Sequence, residues 1–143
     1  MVIRCSIEEL CRADHQGNPI ILKHWLANKT PQQVRAWIEA EPAGVFVGVG
    51  PAGIAGVGSL LPGGQIALNY GAPWARRQGV STGLMRAREQ RAVKAGHTVC
   101  TLTSTITAHA FYLAYGYQDA CGPVRSFGGK PAFPMRRLIA QGA

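Results

Sequence analysis

The chain has 143 residues, 47% hydrophobic and 15% charged, which suits one domain (residues 1–143) with a sizeable core and excludes a disordered tail. Fifteen Lys and Arg against seven acids leave a net charge of +8, which asks for an anionic partner without naming it. Cys5, Cys11, Cys100 and Cys121 form no C-x-x-C pair and read as reduced, no apolar run is long enough to span a membrane, and no secretory signal opens the chain, so a cytoplasmic location without a membrane partner is expected.

In chain order, residues 2 to 5 read as a short first strand, followed by a capping box with Ser6 as N-cap and Glu9 three residues on. The short helix so started should end before Gly17. Asn18-Pro19 and Thr30-Pro31 each carry a helix-start signal, with apolar residues behind them at Ile20, Ile21, Leu22, Trp25, Leu26 and at Val34, Trp37, Ile38. Then the pattern changes. Val45 to Val49, Ile54 to Leu61 and Gln65 to Tyr70 read as strands joined by the turns Pro51-Ala52-Gly53 and Pro62-Gly63-Gly64, an antiparallel meander. A helix from Val80 to Ala95, a strand from Val99 to Leu102, a helix from Thr107 to Tyr115 and a last strand from Phe133 to Leu138 complete the chain.

Gly48-Val49-Gly50-Pro51-Ala52-Gly53 matches the dinucleotide string G-x-G-x-x-G and is a decoy. That string must end a strand and open a helix, with an acid about 20 residues on. Here Pro51 interrupts, strand follows, and residues 66 to 75 hold no acid. A glycine-rich hairpin is the better reading.

The informative stretch is Arg76-Arg77-Gln78-Gly79-Val80-Ser81-Thr82-Gly83. A helix that starts after Gly79 has unpaired first-turn amides and a partial positive charge, and glycine lets a phosphate approach them. Ser81 and Thr82 add hydroxyl donors, Arg76 and Arg77 add charge, and Gly83 removes a side chain that would crowd a ligand. A solvated basic helix start would look the same, so local chemistry leaves the two readings level.

Arg76-Arg77-Gln78-Gly79-Val80-Ser81 closely resembles the Q/R-x-x-G-x-G/A cofactor motif of the GNAT superfamily of N-acetyltransferases. Ala108 to Tyr117 is similar to that superfamily's second signature, an alanine and then a tyrosine followed by glycine and an aromatic. The resemblance implies an α/β (α+β) fold: a mixed, mostly antiparallel sheet of six to seven strands flanked by helices, with a splayed parallel strand pair. It departs from the pattern in three places. Ser81 stands for Gly or Ala, Thr105 for an Asn seven residues before Tyr112, and the strand Gln65 to Tyr70 has no acid where a general base is common.

The resemblance further implies acetyl-CoA as cosubstrate, held by Arg76, Arg77, Gln78, Gly79, Val80, Ser81, Thr82, Gly83 and Thr105, with the backbone near Gly71 facing the thioester oxygen. It implies direct attack by a primary amine and proton donation by Tyr112. Read from the residues alone, Tyr112 could equally be a core aromatic beside Phe111, Tyr115 and Tyr117. The acceptor is expected to be a small-molecule or peptide amine, and scarce acids favour a small amine, an amino acid or an amphiphilic acceptor over a polycationic one. No metal-ligand spacing joins His15 or His24 to a cysteine. A homodimer through the last strands is compatible with the resemblance. A non-catalytic CoA-binding module stays open. A nucleic-acid-binding domain, resting on Arg76, Arg77, Arg86, Arg88, Arg91 and Lys94 as a basic solvated face, is disfavoured because no aromatic-and-basic motif accompanies them.

Overall fold

The computed structural model describes residues 2–40, 44–75 and 78–140, so Arg76 and Arg77 lie outside the described residues. Helices α1 (Val2–Leu10), α2 (Arg12–His15), α3 (Pro19–Leu26) and α4 (Pro31–Ala40) precede the strands β1 (Val45–Gly50), β2 (Gly53–Leu60) and β3 (Ile66–Gly71). Helix α5 (Val80–Lys94), strand β4 (Val99–Ser104), helix α6 (Ile106–Tyr115) and strands β5 (Gln118–Asp119), β6 (Val124–Arg125) and β7 (Pro131–Leu138) follow. The expected meander, the α5 helix and the β4–α6 unit therefore stand within a residue or two of their expected limits.

The start of the chain is a correction. Residues 2 to 5 are helix, not strand, and Ser6 is buried inside α1 rather than capping it. Ile3 and Ile7, four apart, share a helix face and pack on Val57, while Glu8 and Glu9 face solvent. Burial of that stripe outweighs the β-like look of Val2-Ile3 taken alone. The two later start signals act as expected. Asn18 accepts from the amides of Ile20 and Ile21, and Thr30 accepts from that of Gln33.

Strands β1, β2 and β3 form one antiparallel sheet, and β4, β7 and β5 a second, with β6 on β7. The two sheets meet at an isolated parallel bridge, Gln65 to Thr101. The first sheet is covered on both faces. Val57 points to α1, whereas its neighbours Gly56 and Gly58 point to α5, as alternation along a strand requires. A Cβ on Gly56 would meet Val80 Cγ1 at 2.6 Å, and one on Gly58 would meet the Arg88 guanidinium at 2.7 Å. The glycine-rich hairpin exists because α5 lies this close. The main core joins both sheets through Leu60, Met85, Leu102, Tyr117 and Met135.

Arg88 is also a correction: expected on a solvated face, it is buried, and so is its neighbour Glu89. Being adjacent on a helix, they point about 100° apart. Arg88 serves the first sheet. Glu89 accepts from Tyr117 Oη at 2.8 Å, Tyr115 Oη at 3.1 Å and Arg137 Nη1 at 2.5 Å, on α6 and the second sheet.

Candidate active site

The register between β2 and β3 slips between Gly58 and Leu60. Such a bulge bends a strand and frees backbone groups. Ser59 Oγ accepts from the Leu68 amide at 3.0 Å, and Arg88 Nη1 donates to the carbonyls of Ser59, at 3.4 Å, and Leu68. Beyond the Gln65–Thr101 bridge, β3 and β4 separate, and two cavities open along the gap.

The first, of about 400 Å³, runs from the start of α5 to α6 and is lined by Gly71, Gly79, Val80, Ser81, Thr82 and Tyr112, among others. Gly79 adopts φ +76°, a conformation that suits glycine, and no side chain caps the helix it opens. The first-turn amides of α5 therefore border the cavity without a side-chain acceptor. The second cavity, of about 500 Å³, lies under α3 and is lined by Trp25, Lys29 and Lys130, among others. Tyr70, Thr103, Ser104 and Thr105 line both, so the two cavities meet between the splayed strands.

Tyr112 is 6% exposed and its hydroxyl accepts a hydrogen bond from Asn69 Nδ2 at 3.0 Å. Asn69 Oδ1 in turn accepts from Arg88 Nη2 at 2.7 Å, which fixes the amide's orientation. Arg88 is itself fully buried and anchored by Nε on the Leu84 carbonyl at 3.0 Å. Gly58, opposite Asn69 in the register, vacates the space the guanidinium fills. Burial pushes the Tyr112 phenol above its ordinary value, while the Asn69 donor and the Arg88 charge pull it back. Tyr70 lacks that cationic support. Burial pushes it up to about 12, against the hydrogen bond it accepts from Trp25 Nε1 at 3.3 Å.

Of the residues singled out in the sequence, Gly71, Gly79, Val80, Ser81, Thr82, Thr105 and Tyr112 share the first cavity. Gln78 and Gly83 instead line a neighbouring depression against the β1–β2 hairpin, and the Gln78 amide donates to the Trp74 carbonyl at 3.5 Å. Arg76 and Arg77 lie outside the described residues. Thr105 is the N-cap of α6, its hydroxyl accepting from the Ala108 amide at 3.2 Å.

Asp14 is buried: its carboxylate accepts from the amides of Ile106 at 2.6 Å and Thr107 at 3.1 Å and from the Thr107 hydroxyl. His109 stacks on Phe133 and pairs with Asp119 at 2.8 Å. Cys11 lines the first cavity as a neutral thiol, since burial, with Asp14 nearby, pushes it to about 12.

Sequence reading missed Asn69, Arg88, Tyr70 and Lys29. One signal was available for Arg88: glycines at alternate positions of a strand, 56 and 58, mark a face against which something packs closely.

Residues 11–139 match the family described as the acetyltransferase (GNAT) domain, and the chain belongs to that family. Its members take their acetyl group from acetyl-CoA. No curated protein sequence matches the chain. Among solved structures, a GCN5-related N-acetyltransferase from Rhodopseudomonas palustris is similar at TM-score 0.81 and 21% identity, over 96% of this chain and 85% of that one. Ard1 from Thermoplasma volcanium is similar at 0.69 and 18%, over 96% and 94%. The PaiA N-acetyltransferase from Thermoplasma acidophilum, solved with coenzyme A, is similar at 0.70 and 13%, over 96% and 88%. At these identities the likeness is one of fold. Among the described residues no helix is long and apolar enough to cross a membrane, and no cluster of metal-ligating side chains occurs.

Proposed function

We propose that residues 1–143 act as one domain that moves an acetyl group from acetyl-CoA to a primary amine by direct attack, with Tyr112 as general acid. When bound, acetyl-CoA supplies a thioester whose C–S bond breaks as the amine's C–N bond forms. The first-turn amides of α5, opened by Gly79, hold the pyrophosphate, with Ser81 and Thr82 as further donors. The cavity fits that group: it offers uncapped amides at one end and a phenol at the other. Backbone near Gly71 borders the thioester oxygen.

The observation that carries the reading is the direction of the Asn69–Tyr112 bond. Asn69 Nδ2 donates, so the phenol's own proton stays free for another acceptor. Tyr112 Oη passes that proton to the departing sulfur, and Asn69 and Arg88 hold the negative charge left on oxygen. Asn69 and Arg88 are thus positioning residues for the acid. No carboxylate on β3 takes the amine's proton, and Asp14 is committed to α6, so water removes it. Cys11 stays a thiol, which supports direct transfer over an acyl-cysteine.

Calorimetric titration with acetyl-CoA and turnover of an amine panel test the reading. Tyr112→Phe should keep acetyl-CoA affinity and lose about 10²–10⁴ in kcat, the usual weight of general-acid catalysis. Binding with no turnover of any amine would instead mark a CoA-binding module.

A further inference from the structure

The transfer reading leaves the acceptor's chemistry open, and the larger cavity speaks to it. Lys29 is 8% exposed and lines that cavity. A lysine this buried is ordinarily paired with an acid. Among the described residues its ammonium reaches neutral acceptors alone, Asn28 Oδ1 at 2.5 Å and the Trp25 carbonyl at 3.4 Å. The ion pairs among the described residues, His109–Asp119 and Arg137–Glu89, are elsewhere. An ammonium has three donors, so one remains.

Asp14 is the acid on the same cavity wall, and it does not supply the missing charge. Both its oxygens are taken by the amides of Ile106 and Thr107, at the positive end of α6. A second cation, Lys130, lines the cavity and donates to Gln16 Oε1 at 2.9 Å. The remaining wall includes apolar and aromatic surface from Ile21, Trp25 and Tyr70.

Resting on the transfer reading, we infer that the acceptor is an amine that also carries a carboxylate, an amino acid or the end of a short peptide, bound with its carboxylate on Lys29. Its amine lies where the two cavities meet, beside Tyr70 and Thr103 to Thr105. Its apolar body runs along Trp25. Lys130 adds positive potential at the wall. A polycationic acceptor would place a second cation against two lysines, with no free acid among the described lining residues to receive it.

The test is a turnover panel of α-, β- and longer ω-amino acids, each beside its own carboxamide, with spermidine as the polycation. The full chain is used, and acetyl-CoA affinity is measured on every variant. The best acid should exceed its amide in kcat/KM by about tenfold or more, the weight of one charge-assisted bond. Lys29→Met should bring that ratio close to one, chiefly through KM, and Lys29→Arg should retain part of it. Acid and amide used equally by the wild type, a ratio unchanged in Lys29→Met, or preference for spermidine overturns the inference. So does rejection of every carboxylate by a protein that binds acetyl-CoA, whatever becomes of the variants' folding. Failure to bind acetyl-CoA at all sinks the transfer reading and this one together, which separates the two failures.

Discussion

Asn69→Asp reverses one hydrogen bond while leaving the site's shape intact. In the native protein the Asn69 amide takes a bond from Arg88 Nη2 at 2.7 Å and gives one to Tyr112 Oη at 3.0 Å. An aspartate is the same size. It keeps the Arg88 contact and makes it an ion pair, so the buried guanidinium is not orphaned and stability should hold or rise. Toward Tyr112, however, a carboxylate can only accept. The phenol must then donate to residue 69 and no longer offers its proton to the cleft. The developing phenolate also loses a donor, and a hydrogen bond to a charged group is worth about 1.5–3 kcal/mol. That is roughly 10- to 150-fold in rate, before repulsion between carboxylate and phenolate is added. The assay is thiol release from acetyl-CoA with a saturating acceptor, alongside a chemical denaturation curve. A variant as stable as the wild type with an unchanged kcat would refute the relay from Arg88 through Asn69 to Tyr112.

Three further outcomes are expected. Gly58→Ala puts a Cβ 2.7 Å from the Arg88 guanidinium, so it should cost about 1–3 kcal/mol in denaturant unfolding and lower kcat, whereas a harmless substitution would show the guanidinium is free to move. Glu89→Ala leaves two tyrosine hydroxyls and Arg137 without their shared acceptor and should lose about 3–5 kcal/mol, read from the urea midpoint. Because burial sets the Tyr112 phenol above its ordinary 10.0, the acid form persists through neutral and mildly alkaline pH. The rate should therefore climb as the acceptor amine loses its proton, and a falling limb well below pH 10.0, absent from Tyr112→Phe, would contradict this.

Legibility in the sequence follows the range over which each feature is decided. The helix starts at Asn18 and Thr30, the hairpin turns and the glycine before α5 are local events, settled within four residues, and they read directly. Val2-Ile3 misled because a short apolar run suits either element, and only Val57, far along the chain, decides it. Arg88 misled for a related reason. Its burial depends on Gly58 and on a bulge in β3, about which α5's own sequence says nothing. Lys29 was invisible because a cavity is made by several elements together, and no spacing within one of them announces it. The burial of Asp14 is set by the start of α6, more than ninety residues further along the chain.

Helix α5 has its phase set twice over. Residue 88 locks to the bulged edge of one sheet, and residue 89, turned about 100° from it, locks to a tyrosine pair beside the other. Rotating the helix to relieve one anchor strains the other, so the width of the gap in front of it is not independently adjustable. Homologous proteins that widen or narrow this gap for other acceptors should do so through the α1–α4 layer, leaving the 88–89 pair alone.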